Sequence, residues 1–319
     1  MQTVTEPVKK TMRDAFLAEV LAQMDRGEKV FLLSADFGAP TLDAIRAQHP
    51  DRFLNVGIAE QNLINLGTGL ALEGFTVYAY AISPFITMRC CEQIRVNLAI
   101  LSQIRKMNIN LIGVGAGFSY EVSGPTHHCL EDISIMRTFP NFEIFSPSDW
   151  TTAEALATFC RDNVGPKYLR FDAKPLAAVH SNTSAINFTD GFMELQSGSD
   201  VCLVSTGFMT HKAGEICKQM SKDGNKIGHL DFFRLSGFNE KKLSQKLSKY
   251  KKVVTLEEGF IGKGGLDALV RDLIMRHKMA VDFKAMGLDA KYIFHIGGRE
   301  YLHGKNDLGL DSILREAAV

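Results

Sequence analysis

Short runs of β-branched and aromatic residues alternate along the chain with longer segments whose apolar positions recur every three or four residues. The short runs KVFLLS (29–34), FTVYAY (75–80), INLIGV (109–114), FEIFSP (142–147) and KYLRF (167–171) read as strands. Helical patterns lie between them, and this alternation predicts a parallel sheet covered by helices on both faces. Asp149 precedes WTTAEALATFC and reads as its N-cap. Ser83-Pro84 reads as an N-cap followed by proline at the first helical position. The pattern breaks over residues 173–191, AKPLAAVHSNTSAINFTDG, where small and polar residues dominate; this reads as a linker. It resumes with DVCLVST (200–206), a helix near 210–221, NKIGHLDFF (225–233), KVVTLEEG (252–259) and a helix near 264–276. The expectation is an α/β chain of two doubly wound domains, 1–180 and 190–319.

Charge and composition narrow the function. The 319 residues carry 36 basic and 36 acidic side chains, and no basic block stands out, which argues against nucleic acid or an anionic membrane as the main partner. The six cysteines are scattered through apolar elements without a C-x-x-C pair, as expected of a protein in a reducing cytoplasm. The opening MQTVTEPVKKTMRDAF has no apolar signal core, and no apolar run reaches transmembrane length. The expected location is cytoplasmic.

Three stretches invite a chemical reading. GVGAG (113–117) follows a strand, but a dinucleotide loop needs a helix directly behind its glycines, and FSYEVSGPTHH reads as more loop. The alternative is a glycine-rich strand end that lets another group approach the backbone. GPTHHCLED (124–132) gathers two histidines, a cysteine and acids without the usual zinc spacings, and fits a turn carrying His127 and His128 into a cleft. In FLNVGIAEQNLINLGTGLA (53–71), Glu60 opens a helical pattern among apolar residues. Taken alone it reads first as an acid in the opening turn of a helix, favoured by the helix dipole.

Taken in order, SADFGAPTLDAIRAQHPDRFLNVGIAEQN, GPTHHCLEDISIMRTFPN, FSPSDW and VVTLEEGFIGKGGL resemble the C-terminal half of the transketolases, and much of this is shared with the deoxyxylulose-phosphate synthases. The resemblance covers nearly the whole chain. It implies a pyrimidine-binding domain followed by a transketolase C-terminal domain. It also implies thiamine diphosphate as coenzyme, with Mg2+ and the diphosphate held by a separate subunit, because the chain has no G-D-G motif. The implied enzyme is a split transketolase, two copies of each subunit, moving a two-carbon ketol unit between sugars.

By the same resemblance Glu60 hydrogen-bonds N1′ of the aminopyrimidine, so that the 4′-imino group can take a proton from the thiazolium. Phe85 lines the pyrimidine pocket with Met88, and Asp36 lies beside the coenzyme. His127 contacts substrate near the reacting carbons. Arg13 and Arg170 match two arginines that hold the sugar phosphate, and His128 and Ser123 fall in the substrate shell. The chain also departs from the pattern. Met88 and Cys91 replace aromatics, Gly115 stands for a phosphate-binding histidine, Pro40 or Thr41 for a serine, and Ser123 for an aspartate. These changes imply an atypical substrate, with the GAG loop making room for it. The alternatives are a 2-oxo-acid dehydrogenase β subunit and a non-catalytic scaffold half.

Overall fold

The computed structural model describes residues 8–222 and 224–318. A six-stranded parallel sheet runs in the order Phe53–Asn55, Val30–Ser34, Thr76–Ile82, Asn108–Val114, Pro166–Phe171, Glu143–Phe145. Its strand order reverses beside Val30–Ser34, which makes it doubly wound. The central strands Asn108–Val114 and Pro166–Phe171 are buried along their whole length, including the polar side chains Asn108, Asn110, Lys167 and Arg170. Phe16 of the helix Met12–Asp25 packs edge-on against Tyr78 and Phe171 on one face, beside the helix Trp150–Asp162. Leu63 and Ile64 of the helix Glu60–Leu72 pack on the other face. That helix seats closely because Gly67 has no side chain; a Cβ there would lie 3.0 Å from Ile109.

A five-stranded sheet follows, in the order Asp282–Leu288, Lys252–Phe260, Val201–Ser205, Ile227–Phe232, Phe192–Gln196. Four strands are parallel, and the edge strand Phe192–Gln196 is antiparallel. The helices Met209–Lys222 and Leu266–Arg276 cover opposite sides of this sheet through separate apolar clusters. The chain is therefore an α/β protein of two doubly wound units. Among the described residues no helix is long and apolar enough to cross a membrane. Cys91 is exposed, and the other five cysteines are buried free thiols.

Asp149 caps Trp150–Asp162 as expected, accepting from the Thr152 amide at 2.8 Å. The stretch after Ser83-Pro84 differs from expectation. Ser83 makes no capping bond, and Phe85–Arg89 and Ile94–Ile100 are π-helical. Such wide turns concentrate at functional sites because they re-aim side chains. Residues 173–191 are also more than a loose linker. Leu176–Ala177 pairs with Lys9–Lys10, and the second oxygen of Asp149 accepts from the amides of Val179 and His180 at 2.6 and 2.9 Å.

A buried polar network then joins the linker to both units. Asp231 accepts from Ser148 (2.7 Å) and Thr210 (3.0 Å) and lies 2.7 Å from His180. Ser205 lies 2.8 Å from His229. Burial lowers the His229 pKa to about 4 from 6.5, with the neighbouring His180 and His211 acting in the same direction and Asp231 against them. A neutral imidazole thus contributes stability that is present above pH 6.5 and is lost as pH falls toward 4. Linkage sets this loss at about 2 kcal/mol by pH 5. Chemical denaturation at pH 7.5 and 5 should show His229→Phe flattening the acid limb by about that amount.

Candidate active site

The loops at the carboxyl ends of the strands Val30–Ser34, Thr76–Ile82 and Asn108–Val114 meet one another through Phe37, Phe85, Tyr120 and His127, at the usual ligand position in an open α/β sheet. Glu60 opens the helix that follows Phe53–Asn55 and is only 3% exposed. Its carboxylate is paired. Arg89 Nη1 donates to both oxygens, at 2.7 and 2.6 Å. The Arg89 guanidinium also lies 4.5 Å from the centre of the Phe85 ring. Phe85 in turn meets His127 edge-on at 5.4 Å. His127 Nδ1 contacts the Thr126 hydroxyl at 3.0 Å, which orients the ring. Glu60, Arg89, Phe85 and His127 thus form one continuous contact chain, although their elements are distant in sequence.

Tyr120 extends it. Its ring lies 6.4 Å from both His127 and Phe37, and Phe37 stacks on Tyr80 at 5.6 Å. Burial raises the Tyr120 pKa to about 12, with nearby Arg13 opposing the shift. Arg13 is itself influenced by Tyr80 and hydrogen-bonded to Asp14 at 3.1 and 3.2 Å; burial alone would lower its pKa, but these partners raise it. Asp36 holds a left-handed backbone (φ 53°), a strained setting for a non-glycine residue. Asn55 secures it, donating to Oδ1 and accepting from the Asp36 amide, both at 3.0 Å.

The structure corrects several expectations. Gly115 does not leave open room. At φ 105° it turns the loop so that a Cβ would lie 2.2 Å from the Tyr120 ring, and Tyr120 fills the volume expected to admit a larger substrate. Gly115→Ala should therefore cost about 1–3 kcal/mol. Gly115→Ala with Tyr120→Ala should recover the steric share alone, read as a partial return of the denaturation midpoint. Arg170 is turned to a buried carboxylate. It is 3% exposed and donates to Asp132 at 2.7 Å and to the carbonyls of Cys129 and Glu258 at 3.2 Å. His128 turns inward, 4.9 Å from the Phe118 ring and 3.4 Å from the Glu121 carbonyl, and burial lowers its pKa. The adjacent histidines therefore do not converge on one point. Ser123 is exposed at the end of a turn closed by its amide on the Tyr120 carbonyl. Met88 is exposed on the surface of the π-helical segment rather than buried as pocket lining.

Under the His127 loop lies a buried charge cluster that pattern reading missed. Glu258 accepts from Arg299 twice at 2.7 Å, lies 2.6 Å from His303, and takes the Phe118 amide at 3.2 Å. Burial alone would raise its pKa, but Arg299 and His303 hold it well below the usual carboxylate range. Arg299 also pairs with Asp172 at 2.6 Å. The neighbouring Glu257 caps Leu266–Arg276 through the amides of Leu266 and Asp267, and burial pushes its pKa up to about 7. The adjacent acids that end the run KVVTLEEG were the available signal, as was Arg89, a charge inside the apolar stretch FITMRCC.

Comparison with known proteins fits this layout. Residues 8–176 match the transketolase pyrimidine-binding domain and residues 192–295 the transketolase C-terminal domain. The chain is 29% identical to one of the subunits of an apulose-4-phosphate transketolase of Actinobacillus succinogenes, over 84% of each chain. It is 26% identical to a 6-deoxy-6-sulfo-D-fructose transketolase subunit of a Clostridium strain, over 96% of this chain and 93% of that one. A solved split-gene transketolase, described as an inactive β4 tetramer, superposes with a TM-score of 0.83 at 26% identity, covering 96% of this chain and 97% of its own. With matching domains across most of its length and relatives that are themselves transketolase subunits of similar length, the chain belongs to the transketolase family.

Proposed function

We propose that this chain is the pyrimidine-binding subunit of a split transketolase that transfers a two-carbon ketol unit between anionic sugars. The observation that carries the reading is Glu60, a buried carboxylate joined through Arg89 to the face of Phe85 and so within one contact chain of His127. A buried carboxylate next to an aromatic face suits a flat, basic heterocycle, so the residues fit the aminopyrimidine of thiamine diphosphate. When bound, that coenzyme supplies the nucleophilic carbon and the electron sink for carbon–carbon bond cleavage.

The chain's own residues do the rest. Glu60 holds a proton at the ring nitrogen, in a setting dry enough to strengthen that bond. Phe85 fixes the ring plane. His127, oriented by Thr126, stands where it can move a proton at a substrate oxygen. Asp36, clamped by Asn55, borders the same strand ends. With Arg170 committed to Asp132, Arg13 is the remaining arginine of the expected pair for an anionic substrate group. Tyr120 and Phe37 line the adjoining wall with rings. Mg2+ and the diphosphate belong to a separate subunit, and the assembled enzyme is a cytoplasmic hetero-oligomer of two copies of each.

The test is reconstitution. The purified chain should show no ketol transfer by itself. Co-expression with a diphosphate-binding subunit should yield a complex whose turnover requires thiamine diphosphate and Mg2+ and releases no carbon dioxide. Release of carbon dioxide would identify a 2-oxo-acid enzyme instead, and full activity of the single chain would overturn the split reading.

A further inference from the structure

Arg89 makes two contacts at once. It donates to both oxygens of Glu60 at 2.7 and 2.6 Å, and its flat guanidinium lies 4.5 Å from the centre of the Phe85 ring. These are the two contacts that a flat, nitrogen-rich ring bound between Glu60 and Phe85 would make. A guanidinium and a protonated aminopyrimidine share the features recognised here: a planar N–C–N edge, positive charge and a π-face. We infer that Arg89 is a built-in competitor for the coenzyme's aminopyrimidine, occupying its place on Glu60 and Phe85 and leaving when the ring enters.

The local structure suits a side chain that moves. Arg89 is the last residue of a π-helical segment, its side chain is 45% exposed, and its neighbour Met88 is also exposed. The backbone is held independently, since Gln61 Nε2 donates to the Arg89 carbonyl at 3.2 Å and Thr87 Oγ1 to the Ser83 carbonyl at 2.7 Å. The guanidinium can therefore swing outward to water without unfolding the turn. Glu60 cannot follow, being buried at a helix start. Arg89 thus keeps a buried carboxylate partnered, and ring binding must first displace it, which lowers the apparent affinity by the fraction of time the site is closed.

This rests on the reading of Glu60 and Phe85 as the ring site, and the experiment separates the two. The probe is 4-amino-5-hydroxymethyl-2-methylpyrimidine, the ring without its diphosphate, titrated into the full chain and followed by calorimetry and ligand-observed NMR. Arg89→Ala should bind it about tenfold more tightly than wild type, a closed fraction of about 90% being removed. Arg89→Lys, which keeps the charge and loses the plane, should fall between. Adding Glu60→Gln to Arg89→Ala should abolish the gain. If Arg89→Ala does not fold, Arg89→Gln, neutral but able to donate to Glu60, carries the comparison with the same expected direction. Equal affinity in wild type and the Arg89 variants, with binding still dependent on Glu60, would overturn the competitor and leave the ring site standing. Binding that ignores Glu60 in every variant would overturn both.

Discussion

Glu60→Gln is expected to lower kcat of the reconstituted enzyme by about 10²–10⁴-fold, the range over which a positioned proton-transfer group acts. Glutamine has nearly the same shape, so the helix Glu60–Leu72 and its packing on Ile109 and Val77 should survive. It cannot hold a shared proton at the ring nitrogen. The loss should fall on kcat more than on KM, because the missing interaction serves the reacting coenzyme rather than substrate binding. The direct measurement is hydrogen–deuterium exchange at C2 of thiamine diphosphate in the assembled complex. Exchange at the wild-type rate would remove Glu60 from the role proposed for it. Arg89 gives a second readout, since glutamine leaves its guanidinium without a carboxylate partner.

Glu258→Gln should destabilise the chain by about 3–5 kcal/mol, the usual cost of removing one member of a buried ion pair. The substitution takes a charge away from Arg299, which is buried beside Asp172, and from His303, which is fully enclosed. It also weakens the acceptor of the Phe118 amide, so the loop leading to His127 should loosen. The pH dependence has a defined sign. The folded pKa of Glu258 lies below its ordinary value of 4.5, so its contribution is complete above that pH and is lost as pH falls further. Denaturation midpoints should therefore differ most between wild type and variant near neutrality and converge in acid. A neutral-pH difference under about 1 kcal/mol, well short of the usual buried-pair cost, would show that Asp172 alone suffices for Arg299.

The parts of the fold that are legible in the sequence are those with dense β-branched and aromatic residues. The strands Asn108–Val114 and Pro166–Phe171 bury every residue, although the burial of Lys167 and Arg170 is not announced by their composition. The edge strands Phe53–Asn55 and Phe192–Gln196 are short or half-exposed, so neither an apolar run nor a clean alternation marks them. The strand Asp282–Leu288 begins exposed and escapes pattern reading for the same reason.

Site residues divide along similar lines. Glu60 and Phe85 stand out because a carboxylate at a helix start and an aromatic after Ser-Pro are local features. The surroundings of Arg170 are not legible in the sequence, because an arginine at a strand end reads alike whether it faces a phosphate or a buried acid. Here its direction is set by Asp132, 38 positions earlier in the chain. Tyr120 is invisible to pattern reading because only the left-handed turn at Gly115 brings its ring back over that glycine.

The buried cluster around Glu258 and Arg299 also decides how the molecule can move. Separating the two sheet units would expose Arg170, Glu258 and Arg299 while pulling His180 from Asp231. Clamshell closure, a common way for two-domain enzymes to exclude water, would in this chain have to break these buried pairs. The short turn from Tyr120 to Ser123 is tied to the same cluster, because Glu121 accepts from the Arg299 amide at 2.9 Å, while Val122 beside it is exposed. The loop leading to His127 and the two sheet units are tied together through the same buried charges.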